Sequence, residues 1–107
     1  MDAEWKRKWV EALRSGEYKQ GKHQLTDGDA FCCLGVLTDL YIKENGYAWG
    51  SDYVGSRPKD GCLSYMVSCD VGLDDYDPVV EGRALSSWND FSDADFNQIA
   101  NLIEKHL

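Results

Sequence analysis

A chain of 107 residues with 43% hydrophobic side chains makes one domain, spanning 1–107, with a thin margin of core over surface. Nineteen acidic against eleven basic side chains give a net charge of −8, which repels nucleic-acid phosphates and favours cationic partners. No apolar run approaches the roughly 20 residues of a membrane span, and the charged start Met1-Asp2-Ala3-Glu4-Trp5 lacks a signal peptide's apolar segment, so a cytoplasmic protein with no membrane partner is expected.

The charge is uneven: net +2 over 1–23, −3 over 24–69 and −7 over 70–107. A first helix is predicted near 2–15, because Trp5, Trp9, Ala12 and Leu13 share one stripe, Asp2 can cap the start and Gly16 can stop it. A weak two-residue alternation over 18–25 reads as a short strand leading into the turn Thr26-Asp27-Gly28-Asp29. A second helix, about 30–44, carries Phe31, Cys33, Leu34, Leu37, Leu40 and Tyr41, with Asp27 or Asp29 as cap and Asn45-Gly46 as end. It is apolar on more than one side and should be the central element, with Gly35 marking the close approach of another backbone.

Residues 47–70 read as short strands around the turn Arg57-Pro58-Lys59-Asp60-Gly61, since Leu63, Tyr65, Val67 and Cys69 alternate with Ser64, Met66, Ser68 and Asp70. An acidic loop follows, then a short helical turn over Arg83-Ala84-Leu85-Ser86-Ser87-Trp88-Asn89-Asp90-Phe91. A last helix over 93–106 shows Phe96, Ile99, Ala100, Ile103 and Leu107 on one face, with Ser92 as cap and Asp95 three residues on. The fold class is α+β: three main helices and a short β-hairpin or small antiparallel sheet from about 18–25 and 47–70.

Three segments carry a resemblance: "KWVEALRSGEYKQGKHQL", "DGDAFCCLGVLTDLY" and "LSSWNDFSDADFNQIANLIEKHL". Their pattern resembles a family of small bacteriophage and prophage proteins. Among the matching positions are Trp9, Tyr18, Gln20, Cys32, Cys33, Gly35, Asp39, Asn89, Asp90 and Phe96. The resemblance implies a source and an architecture, and no catalytic residue. By analogy with small acidic phage products, it also implies an accessory role that redirects host machinery, such as a host-defence inhibitor of the anti-CRISPR type.

Four cysteines stand at 32, 33, 62 and 69. A cytosolic setting makes them free thiols, and adjacent Cys32 and Cys33 suit no mutual disulfide. One alternative is a small enzyme with Cys32 or Cys33 as nucleophile at a helix start and His23 as base. The acidic neighbours Asp27 and Asp29 oppose a thiolate there. A second alternative is a structural metal site, although the cysteine spacing departs from the pairs two to four residues apart that hold zinc. The run Asp74, Asp75, Asp77, Glu81 resembles a calcium loop only loosely, with Pro78 inside it. Lys6, Arg7, Lys8, Arg14, Lys19 and Lys22 fit a solvated helix face better than a nucleic-acid patch on so acidic a domain.

The favoured expectation is therefore a non-enzymatic interaction protein without a cofactor or metal, acting in the cytoplasm of a bacterial host and contacting no nucleic acid directly. Its partner would be a host protein with a basic surface. The binding residues would be Tyr47, Trp49 and Tyr53 of a glycine- and serine-rich aromatic loop, with the acidic group Asp74, Asp75, Asp77 and Glu81.

Overall fold

A computed structural model describes residues 1–51 and 54–107. In chain order the elements are α1 (Ala3–Arg14), β1 (Lys19–Gln20), β2 (Ala30–Phe31), α2 (Cys33–Asn45), α3 (Tyr65–Asp70), β3 (Val79–Val80), β4 (Arg83–Ala84), α4 (Leu85–Phe91) and α5 (Phe96–His106). The class is α+β, with five helices among the described residues rather than three.

α1 packs mainly on α5 and also on α2, while α4 bridges α2 and α5. Asp2 caps α1 by accepting the Trp5 N–H, and Trp9, Val10 and Leu13 turn into the core. Trp9 is fully buried, and its indole N–H finds the Cys33 carbonyl at 2.9 Å. That bond satisfies the one polar atom such a ring carries inward. α2 is buried nearly all round, from Cys33 through Asp39 and again at Tyr41 and Ile42. At Gly35 an added Cβ would lie 1.9 Å from the Leu25 carbonyl oxygen, so the close approach expected there is that of Leu25.

Helix α2 begins three residues later than the sequence pattern suggests. Ala30 and Phe31 are drawn into β2, which runs parallel to β1 in the register Lys19↔Ala30 and Gln20↔Phe31. Its cap is neither Asp27 nor Asp29 but Cys32, whose Sγ accepts the Gly35 N–H at 3.3 Å. Asp27 instead holds the preceding turn, accepting the N–H groups of Asp29 and Ala30. The strand expected over 18–25 is thus two residues long and pairs in parallel rather than in a hairpin.

The hairpin or sheet expected over 47–70 is overturned among the described residues: its second half is helix α3. Ser64 caps it by accepting the Val67 N–H, and Leu63, Val67 and Val71 are buried at helical spacing while Tyr65 and Cys69 point outward. The antiparallel hairpin lies further on, β3 with β4, paired Val79↔Ala84 and Val80↔Arg83. Its two turn residues, Glu81 and Gly82, both have positive φ, the backbone of a two-residue turn that suits strand twist. The last helix starts at Phe96 because Asp95 and Gln98 form a reciprocal capping box. Ser92, expected as that cap, donates its hydroxyl to the Trp88 carbonyl and accepts the Ala94 N–H.

Candidate functional site

Residues 60–82 hold six carboxylates and no lysine, arginine or histidine. Backbone geometry gathers much of this segment. The Leu63 N–H donates to the Tyr76 carbonyl at 2.9 Å, setting the acidic loop against the start of α3. Tyr65 and Tyr76 are 70% and 48% exposed there, large aromatic rings left in water beside acidic groups. A hydrogen bond with Cys69, and after it the neighbouring Tyr76, raise the Tyr65 phenol above its ordinary pKa. The half-buried Cys62 thiol is raised too, first by burial and then by the charges of Asp77, Asp60 and Asp75, which converge on it. The result is a negatively charged segment with two exposed tyrosine rings.

The expected binding residues divide between different tasks. Asp74 and Asp75 are exposed on this face, and Asp75 also accepts the Asp77 N–H. Asp77 is committed to structure: it accepts the Ser86 backbone N–H at 3.0 Å and the Ser86 hydroxyl, at the start of α4. Glu81 pairs with His106 at 2.7 Å, tying the hairpin to the end of α5, and that bond holds its carboxyl below the ordinary value. Trp49 is half-buried, donating its indole N–H to Asp39 and packing near Phe31. Tyr47 is half-buried beside Tyr41, whose hydroxyl donates to Asp70. Tyr53 lies outside the described residues.

The thiol pair has the character of core. Cys33 is fully buried and Cys32 nearly so. Burial raises the Cys32 thiol to about 11 and Cys33 well above its usual value. Both therefore stay protonated at neutral pH, the opposite of an activated nucleophile. The His23 ring lies 5.4 Å from that of Phe91, in an exposed position, and its backbone N–H is held by Asp90. No group of three or more metal-ligating side chains occurs among the described residues. On α1, Arg7 pairs with Glu4 and Glu11, Lys8 with Glu44, and Arg14 with Glu104, so much of the basic patch is internally neutralised.

Two residues that the sequence did not single out as polar centres organise the interior. Asn89 is fully buried with its amide completely used: its oxygen accepts from Gln20 and the Cys33 N–H, and its nitrogen donates to the Gly21 carbonyl and Asp90. Asp39 is buried on α2 and accepts from Tyr18 at 2.6 Å, Lys43 at 2.8 Å and Trp49 at 2.9 Å. Burial raises its pKa, but these three donors outweigh it and keep the carboxyl below its ordinary value. A polar residue within an apolar helix, four before a lysine, was the available signal for Asp39.

No helix among the described residues is long and apolar enough to cross a membrane. No curated protein and no solved structure matches the chain. One family model does, over residues 1–107, and the chain belongs to that family, described as a domain of unknown function, DUF8296.

Proposed function

We propose that the chain is a non-catalytic interaction domain, an accessory protein of a phage or prophage acting in the bacterial cytoplasm. Its acidic face over 60–82 docks onto a basic surface of a host protein, of the kind that nucleic-acid machinery or a nucleic-acid-handling defence system presents. The observation that carries this reading is the pairing of exposed Tyr65 and Tyr76 with six carboxylates and no cation in one segment. Exposed aromatics supply contact area at low entropic cost, and a single-sign field steers an oppositely charged partner. The acidic part of the site is Asp60, Asp74 and Asp75. Asp77 and Glu81 support it from the α4 cap and the hairpin turn.

Affinity capture from a bacterial host lysate tests this with the natural chain and three double variants. A partner should be retained by the natural chain and lost by the pair Tyr65→Ala, Tyr76→Ala and by the pair Asp74→Lys, Asp75→Lys. It should survive Lys19→Ala with Lys22→Ala, and its retention should fall steeply with salt. Equal capture by all forms, indifferent to ionic strength, would sink the proposal.

A further inference from the structure

A cleft of about 630 Å³ opens where the turn before α2 meets the loop after it. Phe31 and Trp49 line it, with ring centroids 6.4 Å apart and planes tilted by 47°. Among the described residues, Asp39 and Asp27 are its acidic lining residues and Lys59 its basic one. None of the lining residues belongs to 60–82, so the cleft shares no residue with the acidic tyrosine face.

The two carboxylates differ from ordinary surface acids in being fixed. Asp39 receives Tyr18 and Lys43 on Oδ2, and on Oδ1 only the Trp49 indole N–H, among the described residues. Asp27 receives Asp29 and Ala30 on Oδ1, which leaves Oδ2 without a hydrogen-bond partner among the described residues. Backbone N–H groups, first that of Ala30 and then that of Asp29, hold the Asp27 carboxyl below its ordinary value. Asp27 therefore offers a free carboxylate oxygen, while Asp39, 7% exposed and already paired with Lys43, presents only the edge of Oδ1 beside Trp49. Lys59 opposes a cation, but it is an exposed, flexible arm, whereas the negative charges are anchored. With its N–H committed to Asp39, Trp49 has its ring face left to offer.

The molecule already shows this chemistry holding a cation. The Lys43 ammonium sits on the other oxygen of Asp39 and 5.6 Å from the centroid of the Tyr18 ring. We propose that the cleft is a recognition site for the guanidinium group of an arginine side chain presented by a partner protein, stacked on Trp49 and Phe31 and paired with Asp27 and Asp39. Guanidinium suits it better than ammonium because it is planar, stacks on aromatic faces and gives up its hydration more readily. Its fork of N–H donors pairs with a carboxylate through two parallel bonds, which adds direction to the charge.

The test is a titration of the 107-residue chain with Nα-acetyl-arginine amide, following the indole N–H signals by two-dimensional proton–nitrogen NMR. The Trp49 signal should shift, and that of Trp9, buried on the Cys33 carbonyl, should not. The citrulline analogue, which keeps the shape and loses the charge, should leave Trp49 unmoved, and the lysine analogue should bind more weakly than arginine. Lys59→Gln should tighten binding by about twofold, and Asp27→Asn, which keeps the turn-holding oxygen, should weaken it by about threefold, the scale of a partly exposed ion pair. Any of three results would overturn the assignment: no Trp49 shift up to the solubility limit of the arginine amide, an equal response to citrulline, or binding unchanged or weaker in Lys59→Gln.

Discussion

The Leu25 carbonyl presses on Gly35 so closely that no side chain fits between them. That carbonyl also accepts the Cys32 N–H, so it is held against the first turn of α2 and cannot retreat. Gly35→Ala should therefore cost about 3 kcal/mol or more, well beyond the roughly 1 kcal/mol that alanine gains in helix propensity, because the clash is with backbone rather than a movable side chain. Chemical denaturation of the variant would show it, and a midpoint at or above that of the natural chain would refute it. The cysteines beside it give a second prediction at this scale. Iodoacetamide should label exposed Cys69 in the native protein, whereas Cys32 and Cys33, sequestered and raised in pKa, should react only after denaturant is added. Native labelling of Cys32 or Cys33 would restore the nucleophile alternative.

Among the elements, α4 depends on a group outside itself. Its N-cap, Ala84, has no capping side chain, and the first two N–H groups of the helix, those of Leu85 and Ser86, are met by the Pro78 carbonyl and by Asp77. Asp77→Ala should thus behave as loss of a cap and lower stability by about 1 kcal/mol while leaving partner capture by the acidic face largely intact. If capture is abolished with stability unchanged, Asp77 belongs to the binding surface. Other elements show why parts of the fold are legible in the sequence and parts are not. α1 and α5 announce themselves because each buries one stripe against the other. The short α3 misled because Leu63, Tyr65, Val67 and Cys69 alternate perfectly, while the face that decides is Leu63–Val67–Val71 with Ser64 as cap. A six-residue helix offers too few turns for its period to outvote an accidental alternation. The parallel pairing of β1 with β2 could not be read locally, since it is fixed by Asn89 from 56 to 69 residues away in sequence. For the candidate site, the acidic run stood out in the composition. The choice of Tyr65 and Tyr76 as its exposed rings, and the inward use of Trp49, depended on tertiary packing.

At the scale of the whole molecule, two opposing electrostatic effects set the response to acid. The excess of negative charge repels itself at neutral pH, and approach to the isoelectric point near 4.5 relieves that repulsion. Against it stand carboxylates that the fold needs ionised, above all Asp39, whose pKa is lowered in the folded state. Its contribution is fully present above the unfolded value of about 4 and is lost as pH falls through the lower folded value. Stability should therefore hold or rise slightly from pH 7 towards 5 and fall below about 4. Asp39→Asn separates the two effects, because it removes the network charge while barely changing the total. At pH 7 it should cost about 1–3 kcal/mol, since an amide oxygen replaces a carboxylate for Tyr18, Trp49 and Lys43. At acid pH, where the natural side chain is itself neutral, the two proteins should converge. Urea midpoints of both proteins across this range decide the matter. A gap that stays constant from pH 7 into the acid limb would show that Asp39 stabilises by shape and not by charge, and would remove the fixed negative floor on which the guanidinium cleft depends.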